Sequence, residues 1–142
     1  MSDPLYRKEI LRLAADAHGA GRLARAGTTG TAHNPTCGDK VTVDLSLDDT
    51  GHIAAMGHET KACVLSQASA SILGQTLTGA SRDAVEALAN QVAAMLVAHG
   101  PPPPPPFDAF AAFEGAVAHR NRHRCVLLPI EAVLSAFDAM ES

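Results

Sequence analysis

The chain has 142 residues, 46% of them hydrophobic, 18% charged and 4% aromatic, with no tryptophan and a formal net charge of −4. That length suffices for one self-sufficient core, built here from Ala, Val, Leu and Ile. The acidic balance excludes a nucleic-acid binder, which needs a basic face to release counterions and aromatic platforms to stack bases. No apolar run approaches the roughly 20 residues that span a bilayer.

Residues 4–14 read as a first helix, with Pro4 near its start and Leu5, Ile10, Leu11 and Leu13 as its apolar content. No basic leader followed by an apolar stretch precedes it, so a signal peptide is not expected and a cytoplasmic location is. Gly19, Gly21, Gly27 and Gly30 break the helical pattern, and an edge strand is expected over 28–34. Residues 41–47, "VTVDLSL", alternate without error: Val41, Val43, Leu45 and Leu47 on one face, Thr42, Asp44 and Ser46 on the other. This is the pattern of a half-buried antiparallel strand. The turn sequence "DDTG" follows, and 53–58 returns as its partner strand.

After Cys63 the chain turns helical. "VLSQASASILGQTLTG" is rich in Ala and Ser, whose small side chains allow close packing against a sheet. Ser81 reads as an N-cap, with Val85, Leu88, Val92, Met95 and Leu96 as one apolar stripe and Gly100 as the stop. The prolines at 101–106 predict a polyproline II connector, and "FDAFAAFEGA" a short helical piece. A last helix is expected with Pro129 in its first turn and Ile130, Val133, Leu134 and Phe137 facing the core. The order predicts one α+β domain over 1–142, a small antiparallel sheet of about three strands packed by helices.

Cys37, Cys63 and Cys125 are odd in number, far apart and without a CxxC pair. In a reducing compartment they read as thiols or metal ligands rather than a disulfide framework, the alternative being small buried hydrophobes. In this reading all three sit at element junctions. A thiol at a helix N-terminus is favoured as thiolate by the dipole and free amides. Core cysteines would more naturally fall within an element.

"NPTCGD" (34–39), "KACVLSQASASIL" (61–73) and "CVLLPIEAVLSAF" (125–137) resemble the IscU/NifU-type iron–sulfur cluster assembly family over roughly residues 5–140. The 61 residues between Cys63 and Cys125, and "AFEGAVAHRNRHRC" ahead of the third cysteine, are more similar to the SufU branch. Arg124 stands where the IscU branch has a histidine, and the Leu-Pro-Pro-Val-Lys segment of IscU proteins is missing. The chain also departs from SufU: Asp16-Ala17-His18-Gly19 replaces an Asn-Pro-Arg-Asn stretch, which bears on how a partner docks.

The resemblance implies that Cys37, Asp39, Cys63 and Cys125 hold zinc, or alternatively iron or a transient [2Fe–2S] cluster. Three thiolates and one carboxylate suit either. An aspartate is a harder, more readily displaced ligand than a fourth cysteine, which suits a site that releases cargo or frees a thiolate. Gly38 lets Cys37 and Asp39 face inward from one tight turn. Arg124, and His123 beside it, are expected next to the site, with Arg120 and Arg122 as further sources of positive charge. Cys37 is implied as acceptor of sulfur from a cysteine desulfurase, SufS-like, with downstream cluster-accepting proteins as further partners. The protein is then a zinc-dependent sulfurtransferase, or a non-enzymatic scaffold.

Other readings stay open. One is a zinc-stabilised interaction module without sulfur transfer. Another is a cysteine hydrolase, although nothing ties a particular His to a particular Cys. His33 and His123 are alternative ligands by their nearness to Cys37 and Cys125.

Overall fold

The structure, a computed structural model, describes residues 7–35 and 38–141. It opens with helix α1, Lys8–Asp16, which turns Ile10 into the core and leaves Leu11 half exposed. The rest of the 4–14 expectation, with Pro4 and Leu5, lies outside the described residues. Strands β1, Thr28–Asn34, β2, Asp39–Leu47, and β3, Ile53–Lys61, form one antiparallel sheet in the order β1-β2-β3. The edge strand falls where the glycine-broken stretch predicts it. The return strand runs three residues further than 58.

Period-2 alternation accounts for the sheet's inner face. Val41, Val43 and Leu45 are fully buried there, beneath the helices. The outer face departs from the half-buried expectation at Asp44. Its side chain is buried under the loop after α1, where it accepts hydrogen bonds from Arg22 Nε (2.7 Å) and Nη2 (3.0 Å), the Leu23 amide (3.0 Å) and Thr29 Oγ1 (2.6 Å). His58 on β3 is buried by the same loop, its Nε2 donating to the His18 carbonyl at 2.9 Å.

Helix α2, Val64–Thr76, buries Ser66, Ser69 and Ser71 beside Leu65, Ile72 and Leu73. Its small residues let it pack against both α1 and the last helix. Helix α3, Arg82–Ala98, is capped by Ser81, whose Oγ accepts from the Ala84 amide at 3.2 Å. All five residues of its predicted stripe are buried. It stops at His99 in the left-handed conformation, and the Gly100 amide donates to the Ala94 carbonyl. Proline run 101–106 touches the core at Pro103 and leads into a 3-10 helix, Asp108–Ala116, that buries Phe110 and Phe113.

The last helix corrects the sequence expectation. Helix α4, Arg120–Glu141, starts before Cys125, so Pro129 lies in its interior rather than in its first turn. The Arg/His run 119–124 contains no helix breaker, and nothing stops the helix from starting there. Cys125 is therefore not at a junction but one and a half turns inside a helix. α4 crosses β1 and β2 at close range. A Cβ on Gly30 would collide with the Ala136 amide nitrogen and the Ala132 carbonyl, and Thr28 Oγ1 donates to the Ala136 carbonyl at 2.7 Å.

Candidate metal centre

The sheet register sets up the site. Asn34 pairs with Asp39 and Lys40 with Lys61, so the first residue of β2 lies beside the chain leaving β3 toward Cys63. Asp39 shares the inner face with Val41, two residues on. The loop between Asn34 and Asp39 is closed by the Gly38 amide on the Asn34 carbonyl at 2.8 Å, with Gly38 at φ 78°. That left-handed angle is the reason for glycine, since a Cβ there would meet open space. Cys37, which this loop carries, lies outside the described residues.

Cys63 is the N-cap of α2, with extended backbone, and its carbonyl accepts from the Gln67 amide at 3.0 Å. Its side chain is partly exposed, whereas Cys125 is buried. Both are free thiols. One ligand atom from each of Asp39, Cys63 and Cys125 lies within 4.8 Å of the others. The Cys125 thiol points at Asp39 Oδ2 over 3.9 Å. Three elements distant in sequence thus deliver two sulfurs and a carboxylate oxygen to one point.

The electrostatics follow. Burial pushes the Cys125 thiol pKa up, nearby Cys63 and Asp39 push the same way, and a hydrogen bond from Arg122 opposes them. Three groups able to carry negative charge, so close and half out of water, repel one another as anions. A divalent cation reverses that balance, because it is the largest local charge and favours every deprotonated ligand. The spacing suits one: zinc–sulfur bonds near 2.3 Å in a tetrahedron set sulfurs about 3.8 Å apart, so a small contraction closes the set.

Two residues expected beside the site behave differently. Arg124 is half exposed and pairs with Glu131 at 3.8 Å, while Arg122 is the guanidinium that reaches the Cys125 sulfur. Helical geometry explains the exchange: in α4, neighbouring positions point about 100° apart, so adjacency in sequence to Cys125 turns Arg124 away. Neither histidine joins the ligand group among the described residues. His123 directs Nε2 at the Ala116 and Val117 carbonyls, both at 3.0 Å, and so fastens the 3-10 helix to α4. His33 is exposed on β1 opposite Lys40.

Ser66 is the site residue that sequence reading missed. Its buried hydroxyl donates to the Cys125 carbonyl at 2.8 Å and sits 3.9 Å from the Cys63 sulfur. One signal was present: a serine three residues after a helix-capping cysteine lies on the same face as it.

The NifU-like N terminal domain family matches residues 5–122. The chain belongs to that family. Among solved structures it is similar to the N-terminal part of a nitrogen-fixing NifU-like protein from Brucella abortus, at 34% identity and TM-score 0.92, with 98% of this chain and 96% of that one covered. It shares its fold with a protein of Fervidobacterium islandicum AW-1 described as an iron–sulfur cluster assembly scaffold for the SUF system. That likeness has 20% identity and TM-score 0.84, covering 96% of this chain and 98% of that one. No curated protein matches the chain. As in these NifU-like relatives, a three-stranded antiparallel sheet is packed by helices, the α+β architecture expected. No helix among the described residues is long and apolar enough to cross a membrane.

Proposed function

We propose that this NifU-like chain is an iron–sulfur cluster assembly protein of the SufU type, acting as one unit over its 142 residues. It accepts sulfur from a cysteine desulfurase at a metal centre of Cys37, Asp39, Cys63 and Cys125. The observation that carries this is the convergence of Asp39, Cys63 and Cys125 within 4.8 Å. The family and the SUF-system scaffold that shares the fold support it. Free thiols suit a reducing, cytoplasmic setting.

The donor set fits zinc: two thiols and a carboxylate within reach of one ion, with Cys37 from the neighbouring loop as the fourth ligand. Bound there, zinc supplies a Lewis acid that keeps the thiols ionised at neutral pH. Four anionic ligands around a dication leave a formal surplus of two negative charges, and Arg122 beside Cys125 offsets part of it. Asp39, held by the sheet register, is the hard ligand that yields most readily. Cys37, on a loop that Gly38 turns, is the nucleophile. Its thiolate attacks the outer sulfur of the desulfurase persulfide, the desulfurase cysteine leaves as thiolate, and the sulfane sulfur remains on Cys37. A downstream cluster-accepting protein is the destination.

The second reading takes iron and sulfide as cargo, held as a transient [2Fe–2S] cluster on the same ligands. The burial of Cys125 favours it, because a cluster needs shelter from water.

The test is direct. Metal analysis of the purified protein should give about one zinc per chain. Adding the protein to a cysteine desulfurase with cysteine and a dithiol reductant, which reduces the Cys37 persulfide to thiol and sulfide, should raise sulfide release. Cys37→Ala should abolish the rise. Stimulation that survives the substitution rejects Cys37 as acceptor. No stimulation by the parent, with iron and sulfide bound instead, selects the scaffold.

A further inference from the structure

Pro129 stands inside α4, four residues after Cys125. An α-helix satisfies each carbonyl with the amide four residues on, and proline has no amide hydrogen. The Cys125 carbonyl therefore loses its regular helical donor, the amide four residues on. Its donor comes from another element: Ser66 Oγ on α2, at 2.8 Å, with both residues buried. The next carbonyl, of Val126, accepts from Ser69 Oγ at 2.7 Å, but Val126 also has the Ile130 amide in helical position. The two serines are one helical turn apart on one face of α2, in line with Cys63 at its N-cap. They differ in two respects: Ser66 also lies 3.9 Å from the Cys63 sulfur, and it serves the carbonyl whose helical amide donor proline removes.

We propose that Ser66 is a positioning residue for the metal centre: its hydroxyl replaces the amide hydrogen that Pro129 removes, and so sets the Cys125 thiol against Cys63 and Asp39. The helix break and the serine form a matched pair. Proline alone would release the Cys125 carbonyl and let its turn of α4 drift. Serine alone would only share a carbonyl that its own helix already serves, as Ser69 does at Val126. Together they tie the backbone of one ligand to the helix that starts at another, and the distance between two sulfurs becomes a property of the α2–α4 contact. Outer partners of this kind typically change metal affinity by about 10- to 100-fold.

This inference rests on the metal-centre reading above, and the experiment separates the two. Cobalt(II) is titrated into metal-free protein, with the sulfur-to-cobalt charge-transfer band as readout and the metal-free thermal melt recorded in parallel. The parent should bind one cobalt with thiolate bands. Ser66→Ala should bind about 10- to 100-fold more weakly. Ser69→Ala should soften the melt comparably yet keep affinity within about threefold, since the Ile130 amide still serves Val126. Ser66→Ala combined with Pro129→Ala should regain most of the affinity, because residue 129 then offers its own amide to the Cys125 carbonyl. That double variant also decides the matter if Ser66→Ala alone does not fold. Unchanged affinity in Ser66→Ala, equal losses in the two serine variants, or no recovery in the double variant would overturn the positioning role. A parent that binds no cobalt through sulfur overturns the metal centre itself, and this inference with it.

Discussion

Asp44 stands in an alternating strand where Thr42 and Ser46 mark the outer, polar face, and alternation alone assigns it to solvent. The fold instead covers it with the loop after α1 and gives its carboxylate Arg22, Thr29 and the Leu23 amide. No local pattern announces this, because the covering loop lies some twenty residues away and lacks periodicity. The hydrogen bond from Arg22, above all, holds the Asp44 pKa down to about 2 against the cost of burial. A carboxyl whose folded pKa is depressed adds stability that is complete above its unfolded value, near 4, and drains away as pH falls toward 2. Asp44→Asn should therefore cost about 1–3 kcal/mol at neutral pH, the range for hydrogen bonds to a charged group. It should also flatten the loss of stability between pH 4 and 2 in urea unfolding at a series of pH values. An acid limb identical to the parent's would refute the assignment.

Elements were legible where periodicity is strong. The clean alternation of 41–47, the apolar stripe of α3 and its serine cap each produced the expected element, because local sterics and amphipathicity suffice to define them. The last helix departs from the sequence expectation at its start, with Pro129 in its interior rather than in its first turn. Proline is tolerated in this interior because α2 provides the missing donor, a compensation no local window contains. Gly30 carries a comparable message. In sequence it is a helix breaker; in the fold it is the point where β1 meets the backbone of α4. Gly30→Ala should destabilise the protein by about 1–3 kcal/mol through overpacking, measured by urea denaturation. Because α4 also carries Cys125, the same variant should weaken cobalt binding, whereas wild-type affinity together with wild-type stability would show that the contact yields easily.

At the scale of the molecule, the candidate site joins a strand, a helix cap and a helix interior, so an ion bound there ties the last helix to the sheet and to α2. Zinc at 100 times its dissociation constant should add about 2.7 kcal/mol to stability, seen as a higher melting temperature that a chelator reverses. Cys63→Ala should remove that increment, and a parent melt indifferent to zinc would argue against a shared centre. The sequence by itself determined the α+β order, the strands, the caps and the identity of the chemical groups, since these depend on neighbours within a turn or a pleat. Only the tertiary structure decided which charges and hydroxyls lie beside the candidate site: Arg122 rather than Arg124 at the Cys125 sulfur, Ser66 rather than a histidine, and Cys125 buried inside a helix. Direction along a helix and contact between helices depend on how remote surfaces pack, and that packing energy is written across the whole chain rather than in any one motif.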